Sequence, residues 1–334
     1  MSGLPGARAV TPELAPGRTC PLHYQYGPEV FVRPPELSEV DVLYVVGGLY
    51  GNELALDQVL TLFAAETGRA RLVFNGDFHW FDVDPAVFGR VQHQVLAHAA
   101  LRGNVETELA VEPSSTDEDA GCGCAYPEWV GDAVVERSNR ILQRLRTVVT
   151  PAQRAQLAAL PMTLRAEVGP LQLGIVHGDA QSLAGWGFAQ EHLNDATHRN
   201  TVRGWFERAR VDAFASTHTC LPIFQRLRPA SGAGGSGARW VFNNGAAGMP
   251  NFAGDPAGLL TRIALHPFRG RERRFGVQVG EVFVDAIAID TDAALAQARF
   301  LRQWPEGSDA HASYFDRIAH GPAYAAGTAI RLEE

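Results

Sequence analysis

The sequence contains no lysine: all 29 of its Lys+Arg residues are arginine. Any cationic contact to an anion must therefore come from a guanidinium, a metal ion or backbone amides. Cysteine is scarce, with Cys20, Cys122, Cys124 and Cys220 in 334 residues. That is too few for a disulfide framework in a chain this long, and reduced thiols are expected. No apolar run approaches the ~18 residues that a membrane-spanning helix needs. The first residues lack the apolar core of a secretory signal, so a cytoplasmic setting is expected. Positive charge is not in excess either. The formal net charge is −8, which argues against a surface for extended nucleic acid and leaves room for a nucleotide held in a pocket.

What remains is an ordinary globular balance, 46% hydrophobic and 20% charged, in a chain long enough for a large buried core. Residues 1–38 are rich in proline and glycine and are expected to form an arm wrapped on the surface. Residues 39–334 are expected to form a single domain, with a loop and helices around 112–160 inserted as a cap. Within it, Asp41–Val46 is a β-branched run ending at Gly47-Gly48, and it reads as a buried strand. Arg71–Phe74, Leu171–Val176 and Val211–Ala215 read the same way. Apolar spacing predicts helices over Glu53–Ala65, Pro85–Ala100, Glu128–Val148, Pro151–Leu160, Asp195–Arg208 and Ala293–Gln303. Early alternation followed by a run of strands gives a layered α/β protein, with helices covering two packed sheets.

Four segments place polar side chains at element ends: Asn75-Gly76-Asp77, Arg102-Gly103-Asn104, His177-Gly178-Asp179 and Thr217-His218-Thr219. An Asp, an Asn and two His form an oxygen and nitrogen donor set suited to a divalent cation. The adjacent glycines let the backbone turn sharply and a ligand approach closely. His79 and Asp82 follow the first of these segments, and Trp186 and Phe188 follow the third, as further cleft candidates.

In order and spacing, these segments resemble the calcineurin-like metallophosphoesterases, in particular their bacterial phosphodiesterase-like branch. The resemblance runs through GGLYGNELAL (47–56), NGDF (75–78), RGNVE (102–106), VHGD (176–179), STHTCLP (216–222) and NNGAAGMP (243–250). It implies a four-layer α-β-β-α sandwich of two mixed sheets. It also implies metal ligation by Asp77, Asn104, His177 and His218, with Asp77, Asn104, Arg102 and His79 as the catalytic candidates. The implied activity is phosphomonoester or phosphodiester hydrolysis by a metal-activated water, on a small phosphorylated substrate or nucleotide.

The departures from the pattern are Gly48 and Tyr50 in the first motif and Cys220 in the fifth. By the resemblance all three belong to one of two metals, so the losses strip one half-site and spare the other. One ion (manganese, iron or zinc) is therefore expected, with a second as the alternative. Tyr50, Cys220, Cys122 and Cys124 are the candidate replacement ligands. The alternatives in function are a catalytically inactive metal- or nucleotide-binding protein on the same fold, and a mononuclear iron site with other chemistry. The motifs name neither a particular substrate nor an oligomeric state.

Overall fold

A computed structural model describes residues 16–18, 20–112, 121–228 and 237–332. The middle of the loop expected at 112–127 and most of the turn at 229–238 lie outside the described residues. In chain order the first half contains β1 (Leu37–Val40), β2 (Val42–Val46), α1 (Glu53–Ala64), β3 (Ala70–Asn75), α2 (Pro85–Val95), β4 (Ala99–Leu101), α3 (Asn104–Ala110), α4 (Asp132–Arg146) and α5 (Pro151–Ala158). It continues with β5 (Thr163–Val168), β6 (Leu171–Val176), α6 (Ala196–Ala209), β7 (Ala213–Ser216), β8 (Pro222–Leu227) and β9 (Arg239–Asn244). The last part holds β10 (Gly258–Ala264), β11 (Arg273–Val279), β12 (Val282–Ile289), α7 (Ala293–Gln303), α8 (Asp309–His320) and β13 (Ile330–Arg331).

The strands form two mixed sheets, one of seven strands in the order β1-β5-β6-β7-β9-β8-β13 and one of six in the order β11-β12-β10-β2-β3-β4. The two-residue period of a strand explains how they stack. In β2, Leu43 and Val45 face the other sheet, while Val42, Tyr44 and Val46 face the helices. In β7, Ala213 and Ala215 join the layer between the sheets and Phe214 turns outward to Val202 and Phe206 of α6. Helices thus cover both outer faces, which makes the four-layer α/β sandwich. No helix among the described residues is long and apolar enough to cross a membrane.

Local chemistry sets the helix starts. Asn52 accepts from the backbone N–H of Leu54 and Ala55 at the head of α1, and Asp84 does the same for α2, where Pro85 takes the first turn. The helix expected over 85–100 is shorter than its pattern, because Ala99–Leu101 pairs in parallel with β3 as strand β4. Helix-forming alanines there yield to sheet pairing, a tertiary override of local propensity. The arm is partly built into the core. Phe31 is fully buried and meets Phe214 edge-on at 5.4 Å, and β1 pairs with β5.

Candidate metal centre

The site lies where β3, β4, β6 and β7 end. Asn75 stitches the two sheets together there: its Nδ2 donates to Val176 O at 2.7 Å, and its own carbonyl meets His177 Nδ1 at 2.9 Å. The backbone must pass very close at this point. A Cβ on Gly103 would sit 2.2 Å from Asp77 Oδ1, and one on Gly76 would sit 2.6 Å from His177 Nδ1. Glycine is required at both positions by contact, and at Gly76 also by its φ of +75°.

Asp77 itself holds a left-handed φ of +50°, a conformation that persists only where its surroundings enforce it. Glu106 does the enforcing. This fully buried carboxylate accepts four backbone N–H groups: Asp77 and Gly103 on Oε2, both at 2.8 Å, and Phe78 and His79 on Oε1, at 3.0 and 3.2 Å.

Three acceptors converge on His177 Nε2: His218 Nδ1 at 3.1 Å, Asn104 Oδ1 at 3.2 Å and Asp77 Oδ2 at 3.3 Å. A protonated His177 offers one N–H there for three acceptors, whereas with that proton displaced a divalent cation would accept from all four groups. One ligand atom from each of Asp77, His177 and His218 lies within 4.8 Å of the others, and all three residues are buried.

The remaining donor of each neutral ligand is tied to a main-chain carbonyl. His177 Nδ1 is held by Asn75 O, His218 Nε2 by Cys124 O at 3.1 Å, and Asn104 Nδ2 by Cys122 O at 2.9 Å. Such outer bonds fix ring and amide orientation and leave the inner atom free for a metal. Burial, helped by the neighbouring His177, brings the His218 pKa down to about 4 against the pull of Asp77, so this ring is neutral at physiological pH. Burial also opposes charge on Asp77 and His177, but their mutual attraction prevails: the Asp77 carboxyl is lowered and the His177 ring raised. The donor set fits a divalent cation.

The other half of the cleft carries no such set. Tyr50 OH lies 2.9 Å from Cys220 Sγ, and both residues hold positive φ, +55° and +60°. Burial, with the adjacent Cys220 and Asp77, pushes the Tyr50 phenol well up, and burial raises the Cys220 thiol. Arg317 of α8 reaches in to donate from Nη2 to Cys220 O at 2.7 Å and from Nε to Pro250 O at 3.2 Å. Cys122 and Cys124 face each other with their sulfurs 2.7 Å apart, and their carbonyls serve Asn104 and His218.

The remaining sequence candidates divide. Trp186 belongs to the site, donating Nε1–H to Cys124 O at 2.9 Å with its ring 5.4 Å from that of His218. His79 is stacked on Phe88 at 3.6 Å and pairs with Asp82 at 2.5 Å, and none of its contacts reaches the four ligands. Arg102 is half-buried near Tyr24 and has no carboxylate partner among the described residues. Asp179 accepts the backbone N–H of Gln181, Ser182 and Gly187 and shapes its loop. Phe188 packs in the α6 layer, and Asn243 and Asn244 brace strand ends through Thr219, Gly47 and Leu259. Sequence reasoning missed the Glu106 clamp and the Arg317 contact. The signal for the first was present, since a Glu two residues after a ligand Asn at a helix start can reach back to free N–H groups.

No protein-family model matches the chain, and no curated protein matches its sequence. Solved structures do. A crystallised metallophosphoesterase from Sphaerobacter thermophilus superposes with a TM-score of 0.54 at 17% identity, over 84% of this chain and 100% of that one. A hypothetical protein from Pyrococcus horikoshii OT3 gives 0.57 at 14% identity, over 85% of this chain and 99% of that one. The chain has the calcineurin-like metallophosphoesterase fold. On that fold the four strand ends meet at one edge of the sandwich, and the segments NGDF, RGNVE, VHGD and STHTCLP fall on these ends.

Proposed function

We propose that the protein is a metal-dependent phosphoesterase with one retained metal site, formed by Asp77, Asn104, His177 and His218. The observation that carries this reading is the convergence of three acceptors on His177 Nε2, each neutral ligand being aimed inward by a backbone carbonyl behind it. The fold and the Sphaerobacter thermophilus metallophosphoesterase that shares it support the same reaction class. A bound manganese, iron or zinc ion would supply the charge that lowers the pKa of a water and polarises a phosphoryl oxygen.

The chain's own residues orient and enclose. Glu106 fixes the Asp77 backbone, and the 121–126 segment fixes Asn104 and His218. Trp186 covers the His218 ring. Arg102, half-buried and without a carboxylate partner among the described residues, is the proposed contact for a phosphate oxygen on the ligand side.

The test is metal analysis of the purified protein combined with turnover of p-nitrophenyl phosphate and bis-p-nitrophenyl phosphate. One equivalent of metal that His218→Ala abolishes, together with metal-dependent turnover, is the expected result. A protein that stays metal-free and refuses added manganese, iron and zinc refutes the reading. One that binds metal but turns over neither ester is the inactive binder on the same fold.

A further inference from the structure

The half of the cleft facing away from the ligands brings together the buried Tyr50 phenol, the Cys220 thiol and the Arg317 guanidinium. Arg317 stands on the carbonyls of Cys220 and Pro250 through Nη2 and Nε. Among the described residues it has no carboxylate within ion-pair distance and no protein partner for Nη1. A partly buried guanidinium without a counter-charge is costly unless an anion joins it.

The placement is not incidental. The residue whose backbone it grips is Cys220, whose Sγ meets the Tyr50 hydroxyl at 2.9 Å. Phe81 bridges the same two elements, 5.9 Å from the Tyr50 ring and 5.1 Å from that of Tyr314 on α8. Ile318, the next residue on α8, walls a cavity with Tyr50, Met249 and Phe300, and Tyr50 links that cavity to the Cys220 side where Arg317 stands. In a chain without lysine, a guanidinium is the side chain able to bring permanent positive charge here.

We propose that Arg317 is the phosphoryl-oxygen contact of this half of the cleft, holding a phosphate ester between its guanidinium and the Asp77–Asn104–His177–His218 centre. The Tyr50 hydroxyl is placed to donate to the same oxygen when it turns from Cys220 Sγ. The inference rests on the phosphoesterase reading for its reaction, but the anion contact itself requires no metal.

The experiment uses inorganic orthophosphate as the probe on the full chain, both metal-free and loaded with manganese. Arginine labelling by phenylglyoxal is followed residue by residue by mass spectrometry. Phosphate should slow labelling of Arg317 by about 5-fold or more while leaving the exposed Arg271 unchanged. Equal labelling of Arg317 with and without phosphate, in both forms of the protein, overturns the inference. This readout needs no variant, so a misfolded mutant does not blunt it.

In parallel, Arg317→Gln should weaken orthophosphate binding about 10- to 100-fold, the usual worth of a charge-assisted contact, with Arg317→Lys falling between it and the parent. Manganese affinity should not move in either variant. Unchanged phosphate affinity in Arg317→Gln, with manganese bound normally, overturns the Arg317 contact and leaves the metal reading standing. Failure of the parent to bind any of manganese, iron and zinc overturns the metal reading, while phosphate protection of Arg317 in that metal-free protein still upholds the contact.

Discussion

Replacing Glu106 by Gln tests whether the metal centre is held from behind by one carboxylate. The parent side chain is fully buried, and its two oxygens accept two backbone N–H groups each. In Glu106→Gln one oxygen becomes an NH₂ group, so either orientation sets a donor against two N–H donors. Leaving a buried donor unsatisfied costs about 1–3 kcal/mol, so two such donors give a loss of about 2–6 kcal/mol. A domain with about 5–15 kcal/mol of stability tolerates much of that range and remains folded. Function suffers more specifically. Asp77 keeps its left-handed φ of +50° under this clamp, and loosening it shifts the carboxylate that lies 3.3 Å from His177 Nε2. Burial and the Asp77 charge raise the Glu106 pKa, so measurements belong on the alkaline side of neutral. Urea unfolding gives the stability change and manganese titration gives the affinity. Ile263→Ala, a cut of about 2–5 kcal/mol in the layer between the sheets, is the control for stability alone. The expected outcome is at least a 10-fold loss of manganese affinity in Glu106→Gln and little loss in the control (about 10- to 100-fold is usual for residues behind a metal ligand). A stability loss under about 1 kcal/mol, or equal affinities in the two variants, refutes the reasoning.

Two other perturbations separate competing roles. The 121–126 segment serves the ligands through the carbonyls of Cys122 and Cys124, so the double variant Cys122→Ala/Cys124→Ala should cost about 0.5–3 kcal/mol in stability and leave manganese or zinc affinity within about 3-fold. A larger fall in zinc affinity by competition titration would make the thiols ligands. Away from the site, Glu66 and Arg262 form a pair at 2.5 Å beneath the helical layer. Burial works against the Glu66 charge, but hydrogen bonds from Arg262 and Tyr44 outweigh it and hold its pKa below the usual carboxylate range. A lowered carboxyl pKa contributes stability that is present above the unfolded value and lost as pH falls through the folded one. Glu66→Gln should therefore be less stable than the parent by about 1.5–3 kcal/mol near neutral pH, with the gap closing on acidification below about pH 4. Urea midpoints across pH check this, and a gap that widens toward acid rejects it.

Legibility in the sequence followed the range of the interactions. Asp77, Asn104 and His177 stand next to glycine at element ends and His218 closely follows an apolar run, all of them local signals. The layered α/β class was legible from the early alternation of strands and helices, and the four-layer sandwich was implied by the resemblance that these motifs carry. β4 was hidden because His98-Ala99-Ala100 favours a helix, and only pairing with β3 makes it a strand. Glu106 stood in plain view at the third position of a helix, but its reach to Asp77 spans a sharp turn 29 residues away. Arg317 is 97 residues from Cys220, in a tail that carries none of the recognised motifs. Contacts of that span leave no pattern in a single sequence.

The three departures in the sequence also become one packing unit in space. Tyr50 folds its ring over Gly48, where an added Cβ would lie 3.0 Å from Cε2, Cζ and OH of the ring, at a φ of +64° that already disfavours a side chain. The hydroxyl then continues to Cys220 Sγ, itself on a residue at φ +60°. A carboxylate at Gly48 and the present Tyr50 rotamer exclude each other. An imidazole in place of Cys220 would crowd the same phenol and the Arg317 guanidinium behind it. Reverting one position alone therefore collides with the other two rather than rebuilding a ligand set. The half-cleft is a coherent alternative arrangement in which phenol, thiol and guanidinium fill the space together. That coherence sets Gly48, Tyr50 and Cys220 apart as one group beside the donors that meet at His177 Nε2.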